Sequence, residues 1–130
     1  MKPEIKFIMD DQADAFDENS SLAWDEPWNA HAWFQVDVGI EDQEGADYFQ
    51  VLVATPLAFQ RIKHELDDKR VLLVDEMTVP SILQGIHDLV EDATASTWQQ
   101  TAINLSKHMH WEYEGMAGSP VPSQRDRFPR

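Results

Sequence analysis

The sequence contains no cysteine. This absence excludes disulfide bonds, cysteine-ligated zinc and catalysis by a thiolate. It also fits a protein that works in a reducing compartment, so we predict a cytoplasmic location. The N-terminus holds only a short apolar run, which is too short for a signal peptide or a membrane span.

Glycine is scarce, with five residues in 130, and neither the GxGxxG pattern nor the phosphate-binding P-loop pattern occurs. The GxSxG and HExxH motifs are also absent. Carboxylates are plentiful, but most fall in segments that read as loops. Acid–base catalysis needs environments that push two pKa values apart, and solvated loops do not provide them. We therefore predict no enzyme, no catalytic residue and no cofactor.

One metal-binding pattern stays open as an alternative. His108 and His110 would share a face if they lay on a strand, and Glu112 follows them. Histidines near a helix end more often cap carbonyl groups or contact solvent. A small metal-dependent enzyme is therefore a minor alternative, and we predict no metal site.

Basic residues are few: ten lysines and arginines stand against 24 acidic residues, for a net charge of −14. Residues 1–30 carry eight acids and two bases, and residues 31–54 carry five acids and no base. Such charge repels nucleic acid and anionic membranes, so we expect neither as a direct ligand. Two explanations remain, namely solubility or adaptation to high salt, and a basic protein partner.

The first half of the chain predicts three strands. Residues 4–9 and 31–41 alternate apolar and polar side chains, and residues 47–54 form the return strand of a hairpin. Residues 42–46 are polar and contain a glycine, which is typical of a tight turn. Between the first two strands, residues 13–16 are expected to form a short helical turn.

The second half predicts three helices and two short strands. Thr55-Pro56 and Thr78-Val79-Pro80 are helix starts, and Ser96 or Thr97 caps a third helix. Residues 71–74 predict a strand buried on both sides, and residues 111–113 a last strand. The fold class is therefore α+β, an antiparallel sheet of four to five strands with about three helices on one face. We expect one domain over residues 1–114 and a mobile tail over residues 115–130.

Partner-binding residues are predicted where acids and tryptophans occur together, because interfaces combine aromatic anchors with charged rims. Three groups qualify: the acidic loop (residues 10–28), the hairpin tip (residues 41–47) and the segment after the fourth strand. The candidates are Asp10, Asp11, Asp14, Asp17, Glu18, Trp24, Asp25, Glu26, Trp28, Glu41, Asp42, Glu44, Asp47, Asp75 and Glu76.

Two segments resemble a known family. Residues 34–59, FQVDVGIEDQEGADYFQVLVATPLAF, and residues 96–116, STWQQTAINLSKHMHWEYEGM, are similar to the immunity protein 8 family of bacterial polymorphic toxin systems. The shared features are a strand with an Ile-Gly or Gly-Ile pair, a Glu-Gly turn, a strand ending in Thr-Pro, and a closing helix with tryptophan followed by a Trp-Glu-aromatic strand. Here the order is Gly39-Ile40 rather than Ile-Gly, and Ala54 stands where the family often has cysteine before the Thr-Pro.

The resemblance implies an immunity protein that binds a cognate toxin domain delivered by neighbouring cells, through contact-dependent inhibition or another secretion route. Many such toxins are nucleases with basic surfaces, which an acidic protein would complement. The alternative is a cytoplasmic acidic adaptor that binds a different basic partner. No nucleic acid or membrane is expected to bind directly.

Overall fold

The computed structural model describes residues 1–114, and the predicted tail lies outside the described residues. Three strands form the main sheet: β1 (Pro3–Asp10), β2 (His31–Ile40) and β3 (Asp47–Ala54). Both neighbouring pairs are antiparallel, with Ile8 opposite Val36 and Phe34 opposite Val51. The predicted hairpin is confirmed, and so is the α+β class.

Alternation along β2 and β3 decides which face is buried. Phe34, Val36, Val38, Phe49, Val51 and Val53 point to one face and are almost fully buried. Burying an apolar side chain of this size stabilises the fold by about 1.5–3 kcal/mol relative to leaving it exposed. The central hairpin therefore supplies one wall of the core.

Two glycines shape the hairpin tip. Gly45 has a φ of 89°, a left-handed conformation that glycine adopts at little cost. Gly39 lies where a Cβ would sit 2.4 Å from the carbonyl oxygen of Gly45, so a larger residue would push the turn away from β2. Steric crowding by the turn thus explains why glycine occupies position 39 of the Gly39-Ile40 pair.

Two short strands extend the sheet beyond β3. β4 (Leu72–Leu73) pairs with Val53 and Ala54 in parallel, and β5 (His110–Trp111) pairs with Phe49 and Gln50 in antiparallel orientation. The expectation that the fourth strand is buried on both sides is wrong, because Leu73 is exposed. The two strands pair in parallel, and helix α1 (Pro56–Ile62) with a 3-10 turn (Lys63–Glu65) provides the crossover connection that parallel pairing needs.

The helices begin where the sequence predicts. The side chains of Thr55, Thr78 and Thr97 accept hydrogen bonds from backbone N–H groups three residues later, which caps α1, α2 (Val79–Ala93) and α3 (Trp98–Leu105). Helix α2 buries a stripe of Ile82, Ile86 and Val90, and α3 adds Ala102 and Leu105. These residues pack on the apolar face of the sheet. None of the described helices is long and apolar enough to cross a membrane.

The acidic loop starts with a turn instead of a helix. Ala13 has a φ of 64°, and Ala15 forms an isolated antiparallel bridge with Met9. The expected helical turn over residues 13–16 is therefore wrong. Phe16 is buried, with its ring centroid 4.8 Å from that of Phe34, and this contact holds the chain against β1 as it turns back. Core packing overrides the local helix preference here.

Candidate functional site: acidic ends and an open sheet face

The turn at the end of β1 is organised by Asp10. Its Oδ1 accepts hydrogen bonds from the backbone N–H of Gln12, at 2.9 Å, and of Asp14, at 3.0 Å. The side chain is buried, so this carboxylate is used inside the fold. Such side-chain to backbone bonds are typical of aspartate at turns.

The other acids of this turn face solvent. Asp11, Asp14, Asp17 and Glu18 are exposed. Asp10, Asp14 and Asp17 line an open cavity of about 330 Å³. Asp17 Oδ1 also accepts from the backbone N–H of Asn19, at 2.8 Å. The structure thus places four of the predicted acids at one end of the sheet, where their side chains face solvent.

The second half of the acidic loop meets the segment after β4. The backbone N–H of Met77 donates to the carbonyl of Pro27 at 2.7 Å. This bond joins the two segments that carry Asp25 and Glu26 on one side and Asp75 and Glu76 on the other, and all four side chains are exposed. Two groups that are some 50 positions apart in the sequence therefore share the end of the sheet where β1 finishes and β2 begins.

The two tryptophans of the loop differ. Trp28 is 55% exposed, whereas Trp24 is half-buried and packs against the core. Trp28 is therefore the loop aromatic that offers the larger free surface to a partner.

The hairpin tip lies at the opposite end of the sheet, so the structure does not bring it together with the other two groups. Asp42 and Glu44 are exposed, and Glu41 forms a surface ion pair with Lys2 at 3.5 Å. Asp47 differs, because its Oδ2 accepts hydrogen bonds from the indole N–H groups of Trp98 and Trp111, each at 3.1 Å. Asp47 joins the tip to α3 and β5.

The face of the sheet opposite α2 and α3 was not among the predicted sites. We call it the open face; it consists of Phe7, Met9, Trp33, Gln35, Asp37, Tyr48 and Gln50. Three of its side chains are large, aromatic and well exposed: Phe7 at 43%, Trp33 at 39% and Tyr48 at 49%. Strand alternation was the signal for this face, since Trp33, Gln35 and Asp37 occupy the positions between buried residues of β2.

The open face continues into the acidic loop. A cavity of about 340 Å³ is lined by Trp33, Gln35 and Gln50 from the face and by Asp10 and Asp11 from the turn. On the other side, Glu112 Oε1 accepts from the backbone N–H of Tyr48 at 3.0 Å. The carboxylates of Glu112 and Asp47 raise the pKa of nearby Tyr113 above its ordinary value. Acidic groups therefore border the aromatic side chains on both sides.

An arginine cluster that the sequence did not reveal closes the β5 side of this face. Arg70 donates to both oxygens of Asp68 and of Glu114, and its Nη1 donates to the carbonyls of Ser106 and Met109, each at 2.7 Å. Burial alone would lower the pKa of Arg70, but its hydrogen bonds to Glu114 and Asp68 raise it. The cluster therefore stabilises the fold, and the positive charge of Arg70 is balanced by the carboxylates of Asp68 and Glu114.

The histidine pattern does not form a metal edge. His110 lies on β5, with its Nδ1 2.7 Å from Arg70 Nη2, whereas His108 lies in the turn after α3 and borders a groove between α2 and β4. Over residues 1–114, the grouping with suitable spacing for a metal is instead His87, Asp88 and Glu91, all exposed on α2. Exposed acidic groups of this kind are common on helices and carry no argument alone.

Comparison with known proteins gives one family. The model of the family described as immunity protein 8 matches residues 5–116 of the 130-residue chain. No curated protein and no solved structure matches the chain significantly. Among the described elements, the match begins inside β1 and covers β2 to β5 and helices α1 to α3 in full. The resemblance found in the hairpin and in the closing helix is confirmed, and the chain belongs to the immunity protein 8 family.

Proposed function

We propose that this protein neutralises a cognate toxin domain with a basic surface, most simply a nuclease, by covering its substrate cleft. Membership of an immunity protein family implies a toxin partner. The charge supports a basic one, because residues 1–114 hold 23 acids and seven bases, for a net charge of −16. The observation that carries the proposal is the concentration of exposed acids where the acidic loop meets Asp75 and Glu76.

Carboxylates on this surface would take the place of phosphates. A nuclease cleft is positively charged because it holds a nucleic acid backbone. An acidic protein surface meets the same cations, excludes the substrate and steers association to about 10⁸–10⁹ M⁻¹s⁻¹ at low salt. Rapid capture suits an immunity protein, since one escaped toxin molecule is harmful to the cell.

The protein acts by binding in this proposal, without chemistry of its own, and it meets the incoming toxin in the cytoplasm. The exposed carboxylates of the acidic loop lie in solvent, where they are poor general acids and bases but good partners for cations.

Growth rescue tests the proposal. The polypeptide encoded immediately upstream of this gene would be expressed in a susceptible bacterium, with and without this protein, and both would be co-purified. We expect growth arrest by the upstream polypeptide alone, rescue on co-expression, a stable complex, and loss of its nuclease activity in that complex. Failure of both rescue and co-purification would overturn the proposal, and rescue without any nuclease activity would refute the nuclease assignment alone. Binding without rescue would instead favour an acidic adaptor.

Charge reversal tests which acids matter. Asp11, Asp14 and Glu18 would be changed together to lysine, while Asp10 stays unchanged because the turn depends on it. The matched control changes Asp88, Glu91 and Asp92 to lysine, which alters the net charge equally on exposed positions of α2. We expect the loop variant to slow association about ten-fold more than the control and to flatten its salt dependence. Equal effects would exclude the loop as a contact.

A further inference from the structure

The open face places its aromatic and polar side chains in a contiguous patch. One row crosses three strands, from Phe7 through Asp37 to Tyr48. The next row runs from Met9 through Gln35 to Gln50 and on to His110 of β5. Neighbouring strands lie about 4.8 Å apart, so these side chains lie next to one another on the same face of the sheet.

The strands fix the backbone of this patch. Each of its residues lies on a hydrogen-bonded strand of the sheet, and Trp33 packs its ring against that of His110, with centroids 5.7 Å apart. A partner therefore meets backbone positions that the sheet already sets, which limits the entropy lost on binding. The helices α2 and α3 pack on the opposite face, and over residues 1–114 the aromatic groups of the patch stay exposed.

The charges around the patch select the kind of partner. Asp37 lies within it, Asp11 borders the cavity at one side and Glu112 lies beside Tyr48 at the other. The nearby guanidinium of Arg70 is mostly buried between two carboxylates. Lys6, at the hairpin end, donates to the carbonyl of Gln43 and pairs with Glu4.

We propose that the open face is the surface that docks the cognate toxin domain, with Trp33 and Tyr48 as anchors and the acidic loop as part of the rim. This assignment rests on the proposed function and adds the location of the contact. Tryptophan and tyrosine are enriched among residues that dominate binding energy, and charged rims set encounter rate. The occupant is a basic protein surface whose arginine or lysine side chains stack on exposed rings and pair with the bordering carboxylates.

A single lysine at the centre of the patch tests this assignment. Gln50 is exposed in the second row, so Gln50→Lys keeps the strand while placing a cation where a basic partner would dock. The matched control is Gln84→Lys, because Gln84 is exposed on α2 and the change in net charge is the same. Tyr48→Ala and its control Leu57→Ala, at an exposed position of α1, test the aromatic contribution separately.

The measurement is the Kd of each purified variant for the polypeptide encoded immediately upstream, with thermal unfolding run in parallel. We expect Gln50→Lys and Tyr48→Ala each to weaken binding at least about ten-fold. The two controls should stay within about two-fold of the wild type, and unfolding should be unchanged for Gln50→Lys. Equal affinities for Gln50→Lys and Gln84→Lys would overturn the assignment while leaving the proposed function intact. Failure of the wild-type chain itself to bind would remove the proposed function, and the assignment with it.

Discussion

Arg70 and Glu114 form a two-pronged ion pair, with Nη1 2.5 Å from Oε1 and Nη2 3.0 Å from Oε2. The pair joins the segment just before β4 to Glu114, which lies three residues after the end of β5. Glu114 Oε1 also accepts from the backbone N–H of Trp111 at 3.2 Å. The geometry matches the planar guanidinium fork, which a lysine cannot reproduce.

Arg70→Ala is therefore expected to destabilise the domain by about 3 kcal/mol, because it leaves the carboxylates of Asp68 and Glu114 without their cation. Arg70→Lys should recover only part of the loss. Urea denaturation measures both. Arg61→Ala is the control, since Arg61 is exposed and its guanidinium donates to the side-chain oxygen of Asn29; the change should cost less than about 0.5 kcal/mol. Equal losses for Arg70→Ala and Arg61→Ala would contradict the structural role of the cluster.

The same cluster predicts a pH dependence through Asp68. Burial alone would raise the pKa of Asp68, but hydrogen bonds from the Arg70 side chain and backbone N–H lower it below its ordinary value. Because the folded pKa is the lower one, the stabilisation is complete above the unfolded value of about 3.9 and is lost as pH falls through the folded pKa.

Protonating the many surface acids relieves repulsion in the same acidic range, so the informative quantity is a difference between variants. The quantity to compare is the free energy of unfolding at pH 7 minus that at pH 3. This difference should be smaller for Asp68→Asn than for the wild type, because the variant lacks the stabilisation that Asp68 loses on acidification. Urea unfolding at both pH values provides the measurement. An identical pH dependence in the two proteins would show that Asp68 contributes nothing to it.

Asp47 is expected to act on stability more than on binding, although it lies in a predicted contact group. Asp47→Ala removes the acceptor of two indole N–H groups, those of Trp98 and Trp111. We expect a loss of about 2 kcal/mol, from two hydrogen bonds at about 1 kcal/mol each. Tryptophan fluorescence during denaturation measures it. Glu44→Ala, at an exposed position of the same tip, should leave the midpoint unchanged; a similar shift would contradict the assignment.

Asp10 is expected to stabilise the fold, unlike the exposed carboxylates around it. Asp10→Ala removes the acceptor of two backbone N–H groups and should cost about 1–2 kcal/mol. Asp10→Asn keeps an oxygen at the same position and should retain most of the stability, while Asp11→Ala should have no effect on it. Thermal unfolding of the three variants provides the test. A loss for Asp10→Asn as large as for Asp10→Ala would show that the charge, not the acceptor, stabilises the turn.

Strands, helix starts and the buried face were predictable from the sequence because each depends on local patterns. Alternation placed Phe34 and Val36 inward, and threonine at positions 55, 78 and 97 marked the helix starts. The turn after β1 could not be predicted in this way, because its conformation depends on the packing of Phe16 against Phe34, which is distant in the sequence.

The arrangement of the candidate site could not be predicted from local sequence patterns either, because it also depends on contacts between distant segments. The backbone contact of Pro27 with Met77 and the ion pair of Arg70 with Glu114 join positions that are far apart in the sequence. The roles of Asp10 and Asp47 were also hidden, since a carboxylate used as an acceptor inside the fold looks the same in sequence as one exposed to solvent. The open face was visible only as the polar half of the strand alternation.

The central claim is that an acidic surface of this domain captures a basic toxin domain. Its most direct test is the association rate constant of the wild-type protein with the polypeptide encoded immediately upstream, measured by stopped-flow tryptophan fluorescence over a range of ionic strength. The account predicts association near about 10⁸ M⁻¹s⁻¹ at low salt, falling steeply as salt rises. A rate that does not change with ionic strength, or no association at all, would contradict it.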